Sequence, residues 1–349
     1  MPESFIFAKL PAVLLPWYQK HKRELPWRST EDPYRIWLSE IMLQQTRVEA
    51  VKSYYERFLK KLPTVDALAN ADDALLHKLW EGLGYYSRVR NLKKAAQEIV
   101  SRYNGVFPAK YDEIRNLPGI GPYTAGAICS IAFNQKTPAV DGNVLRVAAR
   151  LTDDHTVIDT PAFKNAVNDS LQSVYPEEAG DFTQALMELG ATVCKPNGTP
   201  DCHICPCKDI CLANAHGTAD DLPVRQAKRA RKVETYTVLI MQWQGRFALQ
   251  QRSSNGLLAG LWEFPNIPGK LTAQQIVDEL ENMGVRLKEI KAVVERKHIF
   301  THIQWDMSGV YLDAVEPNGS FKWLTAEQIN TQIALPTAFR MFWDAAERV

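Results

Sequence analysis

No apolar run in this chain approaches the ~20 residues that a membrane-spanning helix needs, which excludes a helical membrane protein. Charge of one sign is also missing: 41 Lys and Arg against 40 Asp and Glu leave a net charge of +1. An overall polycation is thereby excluded, although a balanced total leaves room for a local basic face. The first residues, "MPESFIFAKLPAVLLPWYQKHKRELPWR", carry no basic stretch before their short apolar run and no small-residue cleavage site after it, and Pro11 and Pro16 interrupt the run. No secretion signal is therefore expected, and a cytoplasmic protein without membrane association is expected. Cysteine is scarce outside one place: five of the six lie between Cys194 and Cys211, while Cys129 stands alone in an apolar helix. With no export signal, such crowding favours a metal over disulfides. Low-complexity tracts and solenoid-length repeats are absent, and a 46% hydrophobic content over 349 residues suits two ordinary globular domains.

What is present divides the chain by periodicity. Apolar residues recur at helical spacing from Pro33 onward, with Asp32 as a candidate N-cap and Pro33 suited to the first turn. The same period returns in "DDALLHKLWEGLG", "RVRNLKKAAQEIVSRY", "TAGAICSIAF", "GNVLRVAARL" and "DFTQALMELGATVC", so residues 1–215 read as an all-α domain. Residues 216–232 are polar, with Arg225, Lys228, Arg229, Arg231 and Lys232 crowded together, and read as a linker that is either a solvated charge run or a non-specific DNA contact. In residues 233–349 the period becomes two: "YTVLIMQWQGRFALQQR" predicts a hairpin turning at Gln244 and Gly245, and "AVVERKHIFTHIQWDMSGVYLDA" predicts further strands. Helical patterns lie among them, which makes the second domain α+β.

Chemistry concentrates in the helical part. "LPGIGPYTAG" places a glycine-x-glycine turn before a helix, and the backbone N–H groups of Gly119 to Gly121 form a candidate phosphate nest; a plain helix corner is the alternative. Asp141 precedes the helix of "DGNVLRV", where it serves as an N-cap or, held ionised by the helix terminus, as a negative charge for an electron-poor centre. Glu40 falls on an apolar stripe, four residues after Ile36 and three before Leu43. Burial there would raise its pKa and keep it protonated, unless an arginine or backbone group satisfies it. An acid kept neutral beside one kept charged is the pairing that cleaves glycosidic bonds through oxocarbenium-like states. Trp17, Trp27 and Trp37 read as packing residues.

Taken in order, "WLSEIMLQQTRV", "GLGYYSR", "LPGIGPYTAGAI", "VDGNVLR" and the cysteine cluster resemble the helix-hairpin-helix DNA glycosylases, and among them the adenine DNA glycosylases of the MutY family. The resemblance implies a monomeric base excision repair enzyme acting on double-stranded DNA, which removes adenine mispaired with 8-oxoguanine or guanine and leaves an abasic site. It implies that Glu40 protonates the flipped adenine, that Asp141 stabilises the sugar cation, and that Asn143 orients Asp141 and water. Gln45, Thr46, Leu83 and Tyr85 match positions that enter the duplex or contact the lesion pair. Tyr123 stands where related lyases carry a Schiff-base lysine, which implies a monofunctional glycosylase. Other repair proteins would engage the linker.

The resemblance extends to both remaining features. Cys194, Cys202, Cys205 and Cys211 match the ligands of a 4Fe-4S cluster with a first interval one residue longer than the family's, Cys207 being an extra thiol; zinc is the alternative. "GLLAGLWEFPNIPGK" with "IVDELENMGV" resembles a Nudix domain, but Asp278 takes the arginine place of its metal-binding set, and Asn282 and Met283 fall where acids are needed. A pyrophosphohydrolase is therefore not expected, and the domain is read as a lesion-recognition module with Phe300, Thr301 and His302 as the contacting residues.

Overall fold

The structure, a computed structural model, describes residues 3–196, 198–227 and 230–346; Lys228 and Arg229 of the basic stretch lie outside them. Two compact units result, Met1–Asn70 with Arg90–Ala227, and Ala71–Val89 with Lys228–Val349.

The first unit is helical. Its helices are α1 (Glu3–His21), α2 (Pro33–Leu43), α3 (Val48–Lys61) and α4 (Val65–Ala69); α5 (Asp73–Trp80) belongs to the second unit; then follow α6 (Ser87–Tyr103), α7 (Tyr111–Arg115), α8 (Pro122–Phe133), α9 (Gly142–Thr152), α10 (Pro161–Gln172), α11 (Ala179–Thr192) and α12 (Leu212–His216). Local chemistry starts them where the sequence predicts. Asp32 accepts a bond from Tyr34 N ahead of Pro33, and Asp141 accepts from Asn143 N and Val144 N to open α9. The prolines of α1 do not break it. Ile6, Phe7, Leu10, Leu14 and Tyr18 form a buried stripe that holds the helix against α9, α10 and α11, while Pro16 faces solvent. None of the described helices is long and apolar enough to cross a membrane.

Helix α8 is buried from Thr124 to Ser130 and packs on both α2 and α11, with α11 also against α9. Gly190 of α11 permits the closest approach: a Cβ there would lie 2.8 Å from Asn143 Cβ. The stretch after α12 is anchored to this unit, since Ile158 N donates to Val224 O and Arg150 Nε donates to Leu222 O.

The second unit is a mixed sheet flanked by helices: β1 (Lys232–Trp243), β2 (Arg246–Gln251), β3 (Trp262–Glu263), β4 (Asn266–Pro268), α13 (Ala273–Asn282), β5 (Leu287–Ile299), β6 (Ile303–Ala314), β7 (Lys322–Thr325), α14 (Ala326–Gln332) and α15 (Thr337–Ala346). The order is β3-β2-β1-β6-β5, with β1 and β6 parallel, β4 paired to β1 and β7 to β2. The predicted hairpin turns at Gln244 and Gly245, both at positive φ (46° and 74°), the conformation that a two-residue turn requires. Strand β1 is buried on both faces: Val238 and Ile240 join one core, Leu239 and Met241 the other. Segment Ala71–Val89 clusters here because Lys78 Nζ donates to Ile333 O at 2.9 Å and Leu335 N donates to Glu81 at 3.0 Å.

Candidate active site

A cavity of about 520 Å³ opens where α2, α8, α9 and α11 meet, and Glu40, Gln45, Thr46, Tyr123, Asp141 and Asn143 all line it. Helix α2 carries Glu40 inward because Ile36 and Leu43 on the same stripe also face the cavity. Glu40 is only 5% exposed, and the Tyr123 hydroxyl donates to its Oε2 at 2.7 Å. Burial, the largest cause, and then the nearby Asp141 charge push the Glu40 carboxyl up to about 7, against the Tyr123 bond and Arg28. Tyr123 stays a donor, since burial and the two acids hold its phenol well above the ordinary range.

Asp141 is bonded differently. Oδ1 accepts from Asn143 N at 2.9 Å and Val144 N at 2.8 Å, and Oδ2 accepts from Asn143 Nδ2 at 2.7 Å. The amide of Asn143 is held in that orientation by Arg146 Nη2, which donates to Asn143 Oδ1 at 2.9 Å. The helix terminus alone does not set the charge of Asp141, as the sequence suggested. Burial lifts its pKa above the usual value, opposed by the Val144 and Asn143 bonds and by Arg146. All three bonds are donated to the carboxylate, so the hydrogen bonding itself favours the ionised form.

Sequence reasoning missed part of this wall. Glu188 of α11, fully buried, accepts from Arg23 and Arg28, and these arginines hold it at about 2 against the burial that would raise it. No local pattern marks them, because the partners lie 160 or more positions apart. Trp27 also lines the cavity and meets Tyr55 edge-on at 5.5 Å, whereas Trp37 is wholly buried.

The remaining predicted residues lie elsewhere. In the hairpin turn, Gly119 has φ +78°, and a Cβ there would meet Asn91 at 2.6 Å, yet Ile120 N donates to Leu117 O, so the turn does not offer three free N–H groups. The nest expected over Gly119 to Gly121 is reduced by that bond. Within the second unit, Tyr85, at positive φ and 47% exposed, hydrogen-bonds Thr301 Oγ1 through its hydroxyl, which joins two segments predicted separately as lesion-reading. His302 is exposed, Leu83 is buried, and Phe300 packs edge-on against Trp305. Residues Asp278 and Glu281 of α13 sit on its exposed face.

Cys194, Cys202, Cys205 and Cys211 line one small void of about 20 Å³ beside Arg150 and Lys208. Cys207 does not; it is 1% exposed and packs into the core with α9 and α11. Among the described residues, no group of three or more His, Cys, Asp or Glu is gathered to hold a single metal ion. Arg150 ties the loop to α9, with Nη1 donating to Cys194 Sγ at 3.3 Å and to Lys195 O at 3.0 Å.

A helical domain with paired acids on one cavity, followed by a mixed-sheet domain, is the arrangement that known proteins share. Residues 38–171 match the HhH-GPD superfamily base excision DNA repair protein, and residues 236–345 match the NUDIX domain. The chain is 35% identical to the adenine DNA glycosylase of Mus musculus over 95% of its own length and 77% of the mouse protein's. It is 33% identical to that of Buchnera aphidicola (86% and 85% covered). Among solved structures, a thermostable thymine-DNA glycosylase superposes with TM-score 0.53 at 27% identity, covering 61% of this chain and 97% of that one. An endonuclease III caught as a DNA covalent intermediate shares the fold (TM-score 0.53, 24% identity, 62% and 99% covered). The chain belongs to the adenine DNA glycosylase family, and is a DNA glycosylase of base excision repair.

Proposed function

We propose that the cavity receives an adenine flipped from a mispair with 8-oxoguanine or guanine and hydrolyses its N-glycosidic bond, leaving an abasic site. The observation that carries this reading is the placement of Glu40 and Asp141 on one cavity with opposite hydrogen bonding. Tyr123 donates to Glu40 Oε2, so the Glu40 proton sits on Oε1 and is available to a ring nitrogen of the base. As that proton transfers, the glycosidic bond breaks with its electron pair going to the base. The sugar cation is stabilised by the Asp141 carboxylate, water adds at the anomeric carbon, and its proton passes to the carboxylate pair. Asn143 holds Asp141 in register. Flipping costs a few kcal/mol and is cheapest at a mispair, which favours adenine already poorly stacked.

The reaction stops at the abasic site in this reading. Tyr123 offers no amine, and among the described residues no lysine lines the cavity. The Tyr85 and Thr301 pair, with Phe300 and His302, supports recognition of the opposite strand by the second unit acting as a binding module, and Gln45 and Thr46 support duplex contact by the first. Cys194, Cys202, Cys205 and Cys211 share one void and are the soft ligands that a 4Fe-4S cluster takes, with zinc as the alternative. When bound, the cluster would tie the loop bearing Lys195 and Lys208, chiefly as a structural element. Single-turnover assays on duplexes with adenine opposite 8-oxoguanine, guanine or thymine, read with and without alkali, test all of this. Excision in the first two with breaks mainly after alkali is expected; scission without alkali defeats the monofunctional reading.

A further inference from the structure

We infer that Glu188 is a positioning residue for excision: its buried carboxylate fixes Arg28 in the cavity wall and sets the net charge that Glu40 faces. The inference rests on the proposed role of Glu40 as the acid. Glu188 is saturated by its own protein. Oε1 accepts from Arg23 N at 3.1 Å and Arg23 Nε at 2.7 Å, and Oε2 accepts from Arg23 Nη2 at 2.8 Å and Arg28 Nη2 at 2.7 Å. Arg28 is locked from its other sides, with Nη1 donating to Arg23 O at 3.0 Å and the Tyr18 ring 5.4 Å from its guanidinium carbon. Arg23, Arg28 and Glu188 line the same cavity as Glu40.

The group is therefore two guanidinium charges and one carboxylate on a shared wall, with Glu188 the compensating charge. Arg28 draws Glu40 toward its ionised form, so a change that uncovers Arg28 strengthens that pull. Glu40 is faced by Tyr123 from α8, by Asp141 at the start of α9, by Arg23 and Arg28 from the strap after α1, and by Glu188 from α11; Glu49 of α3 acts on Arg23. Both Glu188 oxygens are engaged by Arg23 and Arg28, which line the same cavity, so its charge is spent on holding those residues in place. A buried ion pair that merely fastened the strap to α11 would affect folding but not the protonation of a carboxyl on α2.

The test is the pH dependence of single-turnover adenine excision, from about pH 5 to pH 9, in the wild type, Glu188→Gln and Arg23→Met. Activity should decline on the alkaline side as Glu40 loses its proton. Glu188→Gln leaves the guanidinium charges uncompensated, so its midpoint should move to lower pH, with about threefold more loss at pH ~8 than the wild type shows relative to its plateau. Arg23→Met removes a positive charge, and its midpoint should move to higher pH. Opposite displacements support the inference, whereas unmoved midpoints, or two displacements of one sign, overturn it even if both rates fall. Should Glu188→Gln not fold, Arg23→Met decides alone, since that side chain is 36% exposed. A wild type that excises adenine without any alkaline limb overturns the role of Glu40, and this inference with it.

Discussion

Replacing Glu40 by glutamine should make the protein more stable above neutral pH while abolishing its reaction. Burial, which penalises the charge, pushes the carboxyl up to about 7 in the folded chain from its ordinary 4.5 when unfolded. Between those values the folded state binds more protons than the unfolded one, so stability falls as pH rises through the window, and is fully retained below about 4.5. With each tenfold displacement equal to ~1.4 kcal/mol, the loss approaches about 3 kcal/mol by pH ~8. Glutamine has no proton to lose and still accepts from Tyr123. Urea unfolding of both proteins should thus give nearly equal stabilities at pH ~4.5 and a gap of about 3 kcal/mol favouring Glu40→Gln at pH ~8. A gap that stays constant with pH would mean that Glu40 is not held neutral by the fold, and the acid role would lose its physical basis.

Three further outcomes are expected. Asp141→Asn keeps an acceptor for Val144 N but loses the charge, so excision should fall by about a thousandfold in single-turnover assays while duplex affinity holds within about threefold; lost binding would mark Asp141 as a structural cap only. Gly190→Ala puts a methyl 2.8 Å from Asn143 Cβ and should displace the amide from Asp141, lowering the rate about tenfold with unchanged affinity; an unchanged rate would remove Asn143 from the mechanism. Cys202→Ser should cost the purified protein its iron and visible absorption, whereas Cys207→Ser should retain both, because Cys207 lies in the apolar core and not on the void; the reverse result would put Cys207 among the ligands in place of Cys202.

Much of the fold was legible because its signals are local. An N-cap followed by proline starts α2, two residues at positive φ turn the β1 and β2 hairpin, and the change of period from 3.6 to 2 marks the second domain. The two acids were legible for the same reason: a glutamate on an apolar stripe and an aspartate at a helix start are visible within a dozen residues. Helix α1, over a stretch the sequence left unassigned, runs through Pro11 and Pro16, held by a buried stripe of five large side chains. The short β7 and α14 carried too little periodicity to be seen.

The sequence by itself determined where helices and strands begin, which residues could act as acid and anion, and which cysteines could share a cluster, because spacing along the chain is a one-dimensional property. Tertiary structure alone decided the balance of charge at the site. Glu188 meets Arg23 and Arg28 across 160 or more positions, Tyr85 meets Thr301 across 216, and Cys207 is turned into the core while its neighbours face a void. Burial and hydrogen bonding between distant segments set a carboxyl's protonation, and no local pattern encodes which partners the fold will bring together.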